Sequence, residues 1–494
     1  MGLINLRVMN TSCWATTAAR ALIRDSGAQF REISSSDEHS FASGPFPLLV
    51  SSPAKAKPTM KKTKKATTSK TENFQVPRGM RDIIGDDYYD FQGFFEKAQE
   101  VAVYWGFRPI ETPILEHEEV FTTSIGVGTD IVDKEMYTLK TKGGDHLALR
   151  PEHTAPLMRA YLEHGMYTLP QPVLFYQYGP IFRHDKPQRG RYREFRQFDL
   201  DALGSEKSIL DALVIKVGMS ILEEAGAEDL SIQINSIGDK ECRGVYLKEL
   251  VSYYRKHINS LAPHDRERLK SNPLRILDSK EEKTIAVNEN APDAVSYLCA
   301  GCKKHFKEVL EYLEEMGVPY NLNKNLVRGL SYYSRTVFEI YIEDETEAGK
   351  ELIQVASGGR YDYLGRQIGG KRDVPAVGVS MGVERIVEAK WYKKLAPRIV
   401  KKPKVYFIQL GIEAKLKSLN IIEMLRKAHI PIAHAISKDS LSAQLATAEK
   451  MGIPYAIIFG VKEALENSVI VRNMQNRSQE TVKIPKLVEY LKEL

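Results

Sequence analysis

Between Pro172 and Asp201 the order of residues leaves the backbone few choices. An apolar, aromatic run from Val173 to Phe182 reaches Arg183, a polar loop of Asp185, Lys186, Pro187, Gln188, Arg189 and Gly190 follows, and residues 191–201 then alternate. Run length and alternation predict strand, loop, strand. A period of two puts Arg193, Phe195, Gln197, Asp199 and Asp201 on one face of the returning strand, so Gln197 and Asp201 point the same way. Such a face is a floor that can grip a small polar molecule. The loop is rich in Arg, whose planar fork matches phosphate oxygens. Taken alone, the segment reads more simply as a solvated basic hairpin.

The rest of the chain supplies the context. At 494 residues it holds two or three domains with ample length for a buried core. Hydrophobic content of 43% and charged content of 27% are those of an ordinary soluble protein, and no apolar run is long enough to cross a bilayer. The net charge of +6 is modest and comes partly from one Lys-rich stretch, so charge alone does not establish nucleic-acid binding. Cys13, Cys242, Cys299 and Cys302 are too few and scattered for a disulfide framework, which fits a reducing compartment. Residues 1–73 are rich in Ser, Thr and Ala and end in AKAKPTMKKTKKATTSKTEN, which cannot bury enough apolar surface to offset chain entropy. They read as a disordered basic tail. An organelle transit peptide, carrying Arg7, Arg20 and Arg24, and translation from Met60 are competing readings of it.

Globular texture begins near Val76. Phe91, Phe94, Phe95, Ala98, Val101, Ala102 and Trp105 recur at helical spacing before Gly106, and an extended stretch from Phe107 to Thr112 ends at Pro113. Met136 to Leu139 and His146 to Leu149, joined through Gly143 and Gly144, read as a hairpin. It delivers LRPEHTAPL, where Thr154 can cap a helix and Glu152 can face its positive end. LVRGLSYYSRTVFEIYI, residues 326–342, is a Gly-containing turn followed by an alternating strand, with Arg328, Tyr332 and Tyr333 at its entrance. SGGRYDYL, residues 357–364, pairs Gly358 and Gly359 with Tyr361, and AVGVSMGVERIV, residues 376–387, is a small-residue strand running into a helix with Glu384 and Arg385.

Read together, these segments are identified with the class II aminoacyl-tRNA synthetases. FRHDKPQRGRYREFRQFDLD resembles motif 2 in the form carried by histidyl-tRNA synthetases. The helix before Pro113 resembles motif 1, LRPEHT the RPE-x-T element, LVRGLSYYSRTVFEIYI and SGGRYDYL the two histidine-specific elements, and AVGVSMGVERIV motif 3. His153 departs from the Gly often found in the RPE-x-T element, and Ser331 from the Asp usual after the Gly-Leu pair.

Two stretches lie outside those motifs. From Asp239 to about Val318 the chain is charged and mostly helical, with Tyr253, Tyr254, Ile258 and Leu261 as one face. Within it CAGCKKH offers Cys299, Cys302 and His305, yet a structural zinc site wants four protein ligands and only Cys242 remains as another thiol; the simpler reading is a helix start with two small buried side chains and no metal. After the KKPK linker at 401–404, strands and helices alternate over the remaining residues as an α/β module. It resembles the anticodon-binding domain shared by histidyl-, prolyl-, threonyl- and glycyl-tRNA synthetases.

The resemblance spans Val76 to Leu494 and implies an α+β fold: a class II antiparallel sheet with flanking helices over residues 74–398, a helical insertion at about 239–318, and an α/β anticodon-binding domain at 403–494. It implies that histidine and ATP react to histidyl-adenylate, that tRNA(His) then takes the histidyl group, and that AMP and pyrophosphate are released. Arg183 is expected on the α-phosphate and substrate carboxylate, Arg191 and Arg385 on ATP, Mg²⁺ on the phosphates, and Arg328 on the charge developing at the α-phosphate. Asp201, with Gln197, Glu152 and Thr154, is expected to hold the ammonium, and His153 to belong to the same pocket. Tyr332, Tyr333 and Tyr361 are expected around the imidazole. Arg189, Arg191 and Arg193 are expected to face the acceptor end of tRNA. A homodimer in the cytoplasm, with no membrane association, is the implied setting; organelle import through the tail is the alternative. A noncatalytic histidine-sensing paralogue would tend to lack the Arg328 element or the C-terminal module, and this chain carries both.

Overall fold

The computed structural model describes residues 74–126, 128–188, 190–346, 349–398 and 401–494. The tail readings for residues 1–73, and the placing of Arg189, lie outside them.

The first helix, α1 (Asp86–Tyr104), buries Phe91, Phe94, Ala98 and Ala102 as one stripe at helical spacing. Trp105, expected on that stripe, is instead 38% exposed, because the helix ends at Tyr104 and the chain turns away at Gly106. After β1 (Arg108–Pro109), a small antiparallel sheet forms from β2 (Leu115–His117), β3 (Thr138–Lys140) and β4 (His146–Leu149), with α2 (Glu118–Ile125) between its first two strands. The expected hairpin is β3 and β4, starting at Thr138 rather than Met136. Next comes α3 (Thr154–Glu163), then β5 (Val173–Phe182) and β6 (Glu194–Leu203), which pair antiparallel from Val173 opposite Leu203 to Phe182 opposite Glu194.

The chain continues through α4 (Ile209–Ala225), β7 (Ser231–Ser236), α5 (Arg243–Lys256), α6 (Pro263–Ser271), α7 (Glu282–Asn288), α8 (Ala300–Glu315) and β8 (Tyr320–Leu322). It closes with β9 (Ser334–Thr346), β10 (Gly349–Arg360), α9 (Leu364–Gln367), β11 (Ala376–Gly382) and α10 (Val383–Val387). The eight-stranded sheet runs β1-β5-β6-β11-β10-β9-β7-β8 and is parallel only at its two edge pairs.

Period-two alternation decides what each face buries. On β6, Phe198, Leu200 and Ala202 join Phe338 and Ile340 of β9 in a core with α1 and α4. On the opposite face Leu203, Val337 and Ala376 join Tyr161 of α3, Tyr246, Leu250 and Tyr254 of α5, and Tyr332, Tyr333 and Tyr361. Burying one such large apolar side chain contributes about 1.5–3 kcal/mol, so both faces hold the sheet. Ile258, expected beside Tyr254 and Leu261, is 37% exposed because a 3-10 turn at Ile258–Ser260 breaks the helical spacing.

The C-terminal module is built from β12 (Val405–Gln409), α11 (Ile412–Lys427), β13 (Ile432–His434), α12 (Leu441–Lys450), β14 (Tyr455–Phe459), α13 (Val461–Glu466), β15 (Ser468–Asn473), β16 (Gln479–Lys483) and α14 (Leu487–Glu493). Its five-stranded sheet runs β13-β12-β14-β15-β16. Val405, Phe407, Ile457, Val469 and Val471 lie in its own core. No helix among the described residues is long and apolar enough to cross a membrane.

Candidate active site

The antiparallel register of β5, β6, β11 and β10 brings distant segments over one stretch of sheet. Gln197 faces Gly179 on one side and Gly382 on the other, and Asp201 faces Phe175 and Gly378. A Cβ at Gly378 would sit 2.1 Å from Asp201 Oδ1, so the glycine makes the room that the carboxylate occupies. Gly358 serves the strands in the same way: its Cβ would meet the Gly378 carbonyl at 2.1 Å. The expected close backbone approach at Gly358 is therefore between strands.

Over this stretch lies a cavity of about 330 Å³, and its lining includes Arg183, Arg191, Gln197, Arg328 and Arg385. Arg183 comes from the end of β5, Arg328 from the turn before β9, and Arg385 from α10. Each is held by its neighbours. Arg183 donates through Nε to the Pro151 carbonyl at 2.8 Å. Its guanidinium stands 5.5 Å from the centre of the Phe195 ring. Arg328 pairs through Nη1 with Glu339 and donates through Nη2 to Ser357 Oγ at 2.8 Å. Arg385 donates to the Gln354 carbonyl at 2.7 Å and to the Gly190 carbonyl at 3.3 Å. Burial, and then the charges of Arg191 and Arg183, pull the Arg385 guanidinium below its ordinary value. Cations that raise one another's free energy are stabilised by an anion placed among them.

Beneath the cavity lies a buried polar cluster. Tyr332 donates to Glu152 Oε2 at 2.5 Å, and Glu152 Oε1 accepts from the Ala155 amide at 3.2 Å. Glu152 thus caps α3 and holds a tyrosine at once, while Thr154, half-buried, is the first residue of that helix. Burial raises the Glu152 carboxyl to about 7, with the Tyr332 bond opposing it. Tyr361 donates to Asp201 Oδ1 at 2.6 Å. Burial, and next the neighbouring Asp199, hold the Asp201 carboxyl well above its usual range. Its Oδ2 is buried without a protein partner among the described residues. The Tyr332 ring centre lies 4.8 Å from that of Tyr333 and 5.9 Å from that of Tyr361. His153 is buried with Nδ1 at 2.6 Å from Asp199 Oδ2, leaving Nε2 without a partner among the described residues.

The sequence-predicted residues therefore fall into two groups. Arg183, Arg191, Gln197, Arg328 and Arg385 line the cavity, whereas Glu152, His153, Asp201, Tyr332, Tyr333 and Tyr361 are buried and are not among its lining residues. The Arg328 guanidinium carbon, 5.6 Å from the centre of the Tyr333 ring, joins them. Thr154, half-buried and not among the lining residues, belongs to neither, and nor does Arg193. The latter precedes β6, donates to the Asp185 and Arg78 carbonyls at 3.2 and 3.3 Å, and so braces the hairpin. His305 also leaves its expected neighbours: its Nε2 is 3.1 Å from Asp211 Oδ1, while Asp239 and Cys242 stand with Cys299 and Cys302.

Glu339, Ser357, Ser380 and Glu384 line the cavity and were not anticipated. Glu339 had a legible signal, as the one acid within the run from Val337 to Ile342, on the face opposite Phe338 and Ile340. Glu384 accepts from the Arg196 amide at 2.8 Å, and burial raises its carboxyl to about 7.

Comparison with known proteins identifies the family. The family model for histidyl-tRNA synthetase matches residues 79–386, and that for the anticodon binding domain matches residues 404–494. A histidine–tRNA ligase of Dehalococcoides mccartyi is 41% identical over 415 residues, covering 84% of this chain and 98% of its own. One from Halothermothrix orenii is 38% identical over 420 residues, covering 85% and 99%. The apo histidyl-tRNA synthetase of S. aureus matches with a TM-score of 0.70 at 29% identity, over 85% of this chain and 100% of that one. With arginines from three segments around one cavity and these matches along nearly all of the described chain, the protein belongs to the histidyl-tRNA synthetase family.

Proposed function

We propose that this chain ligates L-histidine to tRNA(His) in two steps. In the first, a carboxylate oxygen of histidine attacks the α-phosphorus of ATP, the bond to the bridging oxygen breaks, and pyrophosphate leaves. In the second, the terminal ribose hydroxyl of tRNA attacks the histidyl carbonyl, and AMP leaves. The first step presses an anion against a polyanion, so a site for it must supply positive charge and alignment. The observation that carries the reading is the convergence of Arg183, Arg328 and Arg385 on one cavity.

In this reading Arg183 holds the α-phosphate and the substrate carboxylate, Arg191 and Arg385 hold the rest of the triphosphate, and Arg328 stabilises charge developing at the α-phosphate. Gln197, Asp201, Glu152 and Thr154 receive the ammonium. Support comes from the buried, unpartnered Asp201 Oδ2. Tyr332, Tyr333 and Tyr361 enclose the imidazole, with His153 behind them. The carboxylates of Glu135, Glu339 and Glu384 reach the cavity and are hard oxygen donors of the kind Mg²⁺ shares with phosphates. These carboxylates would hold Mg²⁺, which would supply positive charge to offset that of the triphosphate.

The C-terminal module reads the anticodon, and Arg191, exposed beside the cavity, meets the acceptor end. Val103, Tyr104, Trp105, Ile114 and Leu115 are exposed apolar side chains on and after α1, which supports a homodimer through this segment. The free thiols of Cys242, Cys299 and Cys302 support a reducing compartment such as the cytoplasm.

The test is ATP–pyrophosphate exchange across a panel of amino acids. Exchange is expected with histidine alone; exchange with another amino acid, or none with histidine, sinks the assignment.

A further inference from the structure

Away from the cavity, the fold assembles a set of donors that no step above uses. Asp239 and Cys242 lie in the turn leading from β7 into α5, and Cys299 and Cys302 open α8. Their ligand atoms all lie within 4.8 Å of one another. Cys242 Sγ is 3.5 Å, and Cys299 Sγ 4.0 Å, from Asp239 Oδ1. A tetrahedral ion with sulfur ligands at about 2.3 Å spaces those ligands about 3.8 Å apart, so the cluster is already close to the required size.

We propose that Asp239, Cys242, Cys299 and Cys302 bind a thiophilic divalent ion of the zinc class, which ties the turn before α5 to the start of α8. Four protein donors complete a tetrahedron and leave no open position, which makes the site structural rather than catalytic. Three sulfurs and one carboxylate select zinc over the hard cations.

The surroundings are those of a metal site. Val295 and Leu298 pack apolar surface against the thiols. The Cys302 amide donates to Cys299 Sγ at 3.5 Å, as in a tight thiolate turn. A Cβ on residue 238 would stand 2.6 Å from Cys242 Sγ, and Gly238, at φ 69°, is what lets the turn close over that sulfur. Arg335 Nη2 lies 3.6 Å from Asp239 Oδ2, orienting the carboxylate from outside and offsetting the anionic charge of the ligand set.

The ion's consequence follows from what these turns hold. Arg335 donates its amide to the Gly238 carbonyl at 2.8 Å, and Arg243, the first residue of α5, donates to the Tyr333 carbonyl at 2.7 Å. Fixing the turn at Asp239 therefore fixes the backbone of the Tyr332–Tyr333 pair. Closing a loop of 60 residues between Asp239 and Cys299 also reduces the freedom of the unfolded chain.

The test uses the full chain, purified under reductant without chelator and dialysed against metal-free buffer. Elemental analysis is expected to find about one zinc per chain. Cobalt(II) added to chelator-stripped wild type should give thiolate-to-cobalt charge transfer and tetrahedral visible bands, bleached by zinc. Cys299→Ser/Cys302→Ser should lose both signals, and chelator should lower the melting temperature of the wild type but not of that variant. Should the double variant fail to fold, the wild-type cobalt spectrum still decides. Reduced wild type that takes up neither metal, a cobalt spectrum without thiolate bands, or recovery of Cys299 and Cys302 as a disulfide overturns the proposal.

Discussion

Tyr332 donates its hydroxyl to Glu152 Oε2 at 2.5 Å, a buried hydrogen bond between residues 180 positions apart. This bond joins the element that carries Arg328 to the start of α3. Removing the hydroxyl leaves a buried acceptor with one partner fewer, a loss of order 1–3 kcal/mol. Tyr332→Phe is therefore expected to raise the KM for histidine in pyrophosphate exchange by about tenfold, which corresponds to ~1.4 kcal/mol. An unchanged KM would show that Tyr332 does not shape the histidine pocket.

The same carboxyl sets a pH dependence. Burial raises Glu152 from 4.5 to about 7 in the fold. Between those values the folded chain holds a proton that the unfolded chain has released, so stability falls as pH rises through that window and levels off above it. Glu152→Gln mimics the protonated acid and removes this loss. In urea unfolding of the ligand-free chain, the variant should gain on the wild type between pH 5 and pH 7.5 by roughly 3 kcal/mol, at ~1.4 kcal/mol per pK unit. A constant difference across that range would place the Glu152 titration elsewhere.

Arg328 carries the catalytic argument. Its contacts with Glu339 and Ser357 fix the guanidinium at the cavity, so its charge is in place before substrate arrives. Preorganised charge of this kind is worth on the order of 10²–10³ in turnover. Arg328→Ala should lose at least that much exchange activity while keeping its circular dichroism spectrum, and Arg328→Lys should fall between. Unaltered exchange in Arg328→Ala would remove Arg328 from the chemistry.

How far these features could be read in the sequence depended on their range. The alternation of residues 191–201 carries its own geometry, and Phe198, Leu200 and Ala202 are buried on the face opposite Gln197 and Asp201. The convergence of Arg183, Arg328 and Arg385 has no local signal; only the family resemblance joined three segments so far apart. Where a residue's partner lies far along the chain and outside a motif, the pattern was silent. Asp239 and Cys242 meet Cys299 and Cys302 only where the turn after β7 comes against the start of α8, and His305, read beside two cysteines, turns to Asp211 across 94 residues. Arg193 looked like its basic neighbours, yet its Nε and Nη1 donate to the backbone carbonyls of Asp185 and Arg78.

Asp211 illustrates that long-range limit and is testable. It is fully buried on α4, with Oδ1 at 3.1 Å from His305 Nε2 and Oδ2 at 3.1 Å from Arg360 Nε. Arg360 is itself fully buried and also reaches Asp362 Oδ1 at 2.9 Å. Removing one member of a buried ionic network leaves an uncompensated charge and costs about 3–5 kcal/mol. Asp211→Ala is expected to lose that much in denaturant unfolding, with Asp211→Asn losing less. A change below about 1 kcal/mol would mean the network relaxes onto water.

Two glycines in helices give opposite expectations from the same substitution. Alanine is favoured over glycine in a helix interior by up to about 1 kcal/mol. At Gly244, near the start of α5, an added Cβ meets nothing within 4 Å, so Gly244→Ala should realise much of that gain. At Gly93, inside α1, the added Cβ would lie 1.7 Å from the Leu395 carbonyl oxygen. That carbonyl is not free to move, because Tyr392, three residues earlier, donates its hydroxyl to the Asp90 carbonyl at 2.8 Å and holds the strap on α1. Gly93→Ala must push the strap away or bend the helix, an overpacking cost of about 1–3 kcal/mol that exceeds the propensity gain. Thermal melts of the two variants should therefore move in opposite directions from the wild type, and a Gly93→Ala protein that melts higher would show that the strap does not bind α1 in solution.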